Sequence, residues 1–108
     1  MGLTKTEEFT KTQNELAALT KALGHPARIA ILQFLIKSKS CMCGDIVDEL
    51  PLSQSTVSQH LKELKNAGLI KGNIDGPSVC YCIDEKMWGK AKSLLNNLFD
   101  SYTGQDCC

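Results

Sequence analysis

Apolar residues in the first quarter of the chain recur at a helical period. Phe9, Leu16, Leu19 and Leu23 fall on one stripe, while Lys5, Glu8, Lys11 and Glu15 lie mostly off it. This predicts a helix over residues 3–23, ended by Gly24. Pro26 suits the first turn of a second helix over residues 26–36. Ala27, Ile29, Ala30, Ile31, Leu32, Phe34, Leu35 and Ile36 make that segment apolar on several sides, which predicts a central core element. Residues 38–43 break the pattern, and residues 44–50 read as a short helix with Ile46, Val47 and Leu50 inward. Leu50-Pro51-Leu52 reads as a tight turn, and Ser53 is a good N-cap for a helix over residues 54–67. Val57, Leu61 and Leu64 are its inward positions, and Gly68 is its stop signal. Two short strands, 69–74 and 78–83, flank the turn Asp75-Gly76-Pro77. A last helix over residues 84–102 carries a wide apolar face from Met87, Trp88, Ala91, Leu94, Leu95, Leu98, Phe99 and Tyr102, with a frayed tail at 104–108.

The order helix, tight turn, helix, hairpin is that of a winged helix-turn-helix: mainly α with a small β-hairpin wing, in the α+β class. At 108 residues the chain has room for one domain, placed at residues 1–103. No apolar run approaches the ~20 residues of a membrane span. The first residues are polar and lack the apolar core of a secretory signal, so the expectation is a cytoplasmic protein with no membrane partner. Twelve basic and twelve acidic residues give a formal net charge of zero. That excludes a polycation but leaves room for a local basic face.

Such a face is predicted on the third long helix. Its capping and outward residues are Ser53, Gln54, Ser55, Thr56, Ser58, Gln59, His60 and Lys62, with Lys65 and Lys71 adding charge nearby and only Glu63 opposing it. A merely solvated helix face is usually rich in Glu and Lys. Gln-Ser-Thr-Val-Ser-Gln-His is instead mostly weak helix formers without charge. That choice suits close approach to an anionic duplex: Gln pairs bidentately with adenine, and Ser and Thr meet base edges or phosphates. The lysines would neutralise phosphates in a salt-sensitive way. The expected partner is double-stranded operator DNA.

The segment LSQSTVSQHLKELKNAG (52–68) resembles the recognition helix of the ArsR/SmtB family of winged-helix repressors. Ala22-Leu23-Gly24-His25-Pro26-Ala27-Arg28 resembles the segment that opens the family's second helix, and Gly76-Pro77-Ser78-Val79-Cys80-Tyr81 resembles its wing. The resemblance implies a homodimer built on the first and last helices. It also implies repression relieved by a small inorganic or thiol-reactive inducer. The wide apolar face of the last helix supports the dimer independently. Two such recognition helices would stand about 34 Å apart, one turn of DNA.

Six cysteines form two C-x-C motifs, Cys41/Cys43 and Cys80/Cys82, and a terminal Cys107-Cys108. In a reducing compartment thiols or thiolate ligands are favoured over a disulfide framework. On a strand, residues two apart share a face. If residues 40–43 pair with the wing strand, four thiols cluster beside the recognition helix. Thiolates bind soft ions such as Cu(I) and Zn(II), and arsenite or antimonite fits the same argument. Cys41, Cys43, Cys80 and Cys82 are therefore the candidate inducer ligands. The alternatives are a redox switch and plain packing, since Cys is a small apolar residue. Family members with a thiolate site often read CVCD, whereas here Gly44 intervenes before Asp45 and displaces the pair by one position. Zinc-binding members use His on the last helix, and this chain has no His after His60. Sulfide sensors of the family carry cysteines in the second and last helices, and this chain has none there. An enzyme is not expected, because no C-x-x-C and no nucleophile–base set is present. A protein-binding winged helix would need an apolar recognition helix.

Overall fold

The computed structural model describes residues 6–38, 41–43, 50–73 and 80–104. Among these residues the chain forms helices α1 (Lys11–Leu23), α2 (Pro26–Ser38), α3 (Gln54–Asn66) and α4 (Glu85–Asp100). It also forms strands β1 (Met42–Cys43), β2 (Ile70–Asn73) and β3 (Cys80–Ile83). The helix expected over 44–50, the turn at 75–77 and the tail cysteines lie outside the described residues.

The first helix starts later than its apolar stripe suggested. A single 3₁₀ turn at Thr6–Glu8 precedes it, and the chain resets at Thr10. There a reciprocal capping box forms: the Gln13 amide donates to Thr10 Oγ1 at 3.1 Å, and the Thr10 amide to Gln13 Oε1 at 3.0 Å. Two orphan donors are satisfied at once, which fixes the start of the helix. Ser53 and Asp84 cap α3 and α4 by accepting from the backbone of Thr56 and Met87.

At the other end of α3 the Gly68 amide donates to Lys65 O at 2.9 Å and the Leu69 amide to Leu64 O at 3.1 Å. This is a Schellman stop, with Gly68 at φ +82°. It turns the chain at once from α3 into β2.

The sheet has the order β1-β3-β2, antiparallel throughout. Met42 faces Tyr81 and Cys43 faces Cys80, so the segment before the helix-turn-helix does pair with the wing strand. Across β3, Cys82 faces Lys71 and Tyr81 faces Gly72. Because side chains alternate, Tyr81 and Met42 turn towards the core while Cys80 and Cys82 share the other face of β3.

The core joins Leu19 and Ala22 of α1, Ile31, Leu32 and Leu35 of α2, and Val57, Leu61 and Leu64 of α3. Leu69, Ile70, Tyr81 and Ala91 close it. Helix α2 is central, as its composition predicts, but Ile29 and Ile36 remain exposed. Glu15 bridges to Lys90 at 3.6 Å between α1 and α4. No helix among the described residues is long and apolar enough to cross a membrane.

Gly72 sits at φ +121° with its backbone pressed against β3. A Cβ there would overlap the carbonyl oxygen of Cys80 and stand 2.9 Å from the Cα of Tyr81. At Gly68 a Cβ would meet only the flexible Met87 side chain, at 3.1 Å. Gly72→Ala is therefore expected to cost more than about 3 kcal/mol, and Gly68→Ala about 1 kcal/mol from its left-handed φ alone. Urea unfolding of the two variants checks the order; equal losses would contradict it.

Candidate nucleic-acid interface and thiol groove

Helix α3 divides its residues cleanly between two environments. Val57, His60, Leu61 and Leu64 are buried. Gln54, Ser55, Gln59, Lys62 and Lys65 are exposed, as is the cap residue Ser53, while Thr56 and Ser58 are partly covered. The Ser53 hydroxyl lies 3.2 Å from that of Ser55 and 2.9 Å from that of Thr56, so the first turn presents a connected row of hydroxyls. Lys71 is also exposed, but on β2, where it lines a groove with Cys41 and Cys82 instead of extending the α3 face.

The outward placement of His60 requires correction. Only 7% of it is exposed, and it faces the body of the protein. Its position follows from periodicity: 57, 60, 61 and 64 are i, i+3, i+4 and i+7, one inward stripe. Reading His as a base-contacting type obscured that spacing.

The residue that receives His60 is Arg28, whose part composition did not reveal. Arg28 Nη1 donates to the carbonyls of Lys21 at 3.1 Å and Ala22 at 3.3 Å, satisfying the last turn of α1 with a cation. Its Nε donates to His60 Nδ1 at 3.2 Å. The His25 ring packs on that of His60 with centroids 4.3 Å apart. His25 Nδ1 accepts from the Ala27 amide at 3.0 Å, capping α2, which is the structural role its place after Gly24 suggested. One small cluster thus holds the end of α1, the start of α2 and the inner face of α3. Burial pushes the His60 pKa below its ordinary value, the neighbouring His25 ring and the Arg28 guanidinium act the same way, and Glu63 pulls weakly in the other direction.

The cysteines divide as well. Cys41 and Cys82 are free thiols that lie side by side, hydrogen-bonded to each other. They line an open groove of about 480 Å³ with Leu35, Ile36, Lys71, Ile83, Glu85 and Trp88. The hydrogen bond to Cys41, with burial, raises the pKa of the Cys82 thiol. Cys80 corrects the expectation of four thiolates, because its sulfur is committed to a disulfide. The side chain of Cys43 lies outside the described residues. Among the described residues no three His, Cys, Asp or Glu side chains converge as a metal site.

The profile of the bacterial regulatory protein arsR family matches residues 25–71, which span Arg28, α3 and the first residues of β2. The chain is 30% identical over 97 residues to the HTH-type transcriptional regulator YgaV of Escherichia coli (strain K12), covering 90% of this chain and 98% of that protein.

The chain belongs to the arsR family.

It is also 36% identical over 80 residues to the transcriptional repressor PagR of Bacillus anthracis, covering 74% of this chain and 80% of PagR. The crystal structure of an ArsR family transcriptional regulator superposes with a TM-score of 0.71 at 16% identity, covering 91% of this chain and all of that one. The resemblance carried by residues 22–28, 52–68 and 76–81 is borne out, as is the winged-helix fold. This arsR-family chain is a DNA-binding transcriptional regulator of the repressor type, and its relatives are regulators, not enzymes.

The Arg28 cluster gives the family fold a titratable joint. His60 binds a proton less readily folded than unfolded, so the unfolded chain gains protons first as pH falls. Its contribution to stability is present above about pH 6.5 and is lost as pH falls towards the depressed folded pKa. His60→Gln keeps an acceptor for Arg28 without the titration. Between pH 7.5 and 5.5 the wild-type unfolding midpoint should fall further than that of His60→Gln; equal falls would show that His60 carries no linkage.

Proposed function

We propose that this protein is a cytoplasmic homodimeric repressor that lays α3 in the major groove of a two-fold operator. A soft, thiol-seeking inducer then releases it. The observation that carries the DNA-contact reading is the division of α3, which has a buried, locked face opposite exposed Gln54, Ser55, Gln59 and Lys62. Gln59 and Gln54 are suited to base edges, the Ser53–Ser55–Thr56 hydroxyls to phosphate or base, and Lys62 and Lys65 to phosphates. His60 positions the helix from behind.

Dimerisation through α1 and α4 is supported by apolar side chains left in solvent at their ends. Phe99 is 69% exposed and Tyr102 65%, with Phe9 and Leu98 also open. An exposed apolar patch of that kind marks an association surface. The inducer site is supported by the free pair Cys41/Cys82, whose two sulfurs suit arsenite, antimonite or a soft metal ion.

The test is a fluorescence anisotropy titration of the reduced protein on DNA from upstream of its own gene. Arsenite should abolish binding. Binding that arsenite leaves unchanged would overturn the metalloid inducer, and no binding even in low salt would overturn the DNA-contact surface. Within the same assay Gln59→Ala should cost about 1–3 kcal/mol of specific affinity. Lys62→Ala should instead weaken all sequences alike and flatten the salt slope by about one. Phe99→Glu with Tyr102→Glu should give a folded monomer by analytical ultracentrifugation and lower operator affinity more than tenfold; a dimer that persists would place the interface elsewhere.

A further inference from the structure

A second cavity lies between α1 and α4 and shares only Trp88 with the thiol groove. Its volume is about 250 Å³. Sites for drug-sized ligands run from about 300 to 1,000 Å³, so its occupant is small. The buried part of the lining is Leu19, Leu69 and Ala91, and Trp88 and Leu95 line it as partly covered side chains. Burying a hydrocarbon chain against such a lining is favourable in proportion to the apolar area taken out of water.

The polar end of the cavity has one sign. Lys92 is the one charged residue among the described residues that line it, and Asn96 lies one turn further along α4. Both are exposed, which places them at the solvent side. The neighbouring Lys90 is paired with Glu15 at 3.6 Å. Lys92 enters no ion pair among the described residues. A lysine stem lies along apolar surface while its ammonium stays in water, and residues i and i+4 share a helix face. An ammonium and a carboxamide therefore stand together over a hydrocarbon-lined space. Ammonium and amide N–H groups donate, and a carboxylate accepts on both oxygens, with the charge strengthening each bond. A cationic amphiphile would meet a like charge here, and a sugar would set unpaired hydroxyls against leucines.

We propose that the cavity between α1 and α4 binds a small aliphatic monocarboxylate of the medium-chain fatty acid class, its tail against Leu19, Leu69 and Leu95 and its carboxylate on Lys92 and Asn96. The site is separate from the cysteines and needs no soft ion. Leu69 sets where the tail ends. Its amide donates to Leu64 O of α3 at 3.1 Å, and its carbonyl accepts at 3.0 Å from the amide of Asp84, the N-cap of α4. The occupant thus rests on the residue at which α3, β2 and α4 are tied together.

The experiment titrates octanoate into the reduced full chain. Trp88 is the single tryptophan of the chain, so its fluorescence reads occupancy, and calorimetry gives the stoichiometry. The expected result is saturable binding of one octanoate per chain, at least tenfold tighter than acetate or octylammonium. Lys92→Met keeps the stem and removes the charge, and Asn96→Asp sets a carboxylate at the mouth. Each should weaken octanoate at least fivefold, and because both positions are exposed the far-UV circular dichroism should not change. A signal that never saturates, or octylammonium bound as tightly as octanoate, would overturn the site as mere adsorption of a surfactant. A Trp88 response that survives Lys92→Met and is lost in Lys71→Met would place the ligand in the thiol groove and overturn the assignment. Binding seen only in Phe99→Glu with Tyr102→Glu would show that a second copy fills the cavity, and would also overturn it. None of these readouts involves DNA, so their failure is distinct from failure of the repressor reading.

Discussion

A helix end leaves carbonyls without partners, and three helices meeting at one corner multiply that cost. In this fold a single guanidinium resolves the problem. Arg28 donates to two carbonyls at the end of α1 while its Nε reaches the buried imidazole of the recognition helix. A cation suits this place because the C-terminal end of a helix is the negative pole. Lysine, with a point charge on a flexible stem, could not fork to three acceptors in the same plane. With Val57, Leu61 and Leu64, this contact holds the inward stripe of α3 against the core. Charge, caps and core thus act on one helix from three directions.

The sheet applies a second constraint. Its alternation sends Tyr81 and Met42 into the core and places the paired sulfurs on the side away from it. A register slip by one residue would bury the thiols and expose Tyr81, one of the largest fully buried side chains. Packing of the tyrosine therefore holds the chemistry of the cysteines in place. The close approach of Gly72 to β3 contributes to the same register, because a side chain there has no room.

Most of the architecture was legible from periodicity and punctuation. Ser53, Gly68 and Asp84 stand where caps and stops are needed, and the inward stripe of α3 predicts its burial. The pairing of Met42 and Cys43 with the wing strand was also accessible, from the two-residue spacing of the cysteines. The start of α1 was not. The apolar stripe runs on through Phe9, and only the Thr10–Gln13 reciprocity, a local competition between cap and continuation, breaks it. At the site, residue type misled where spacing did not: His60 shares the stripe of Val57 and Leu64, yet its chemistry suggested DNA. The role of Arg28 depends on carbonyls six and seven residues earlier and a ring thirty-two residues later, which no local pattern encodes. The disulfide at Cys80 runs against the expectation of free thiols.

Strand β1 is two residues long and lies at the edge of its sheet. So short a ladder contributes little backbone cohesion, and edge segments of this kind open locally at a small fraction of the global unfolding free energy. Whether β1 exists as a strand at a given moment then depends less on its amides than on what its side chains hold. Met42, packed with Tyr81 against the core, is then the anchor on which the persistence of this edge ladder turns.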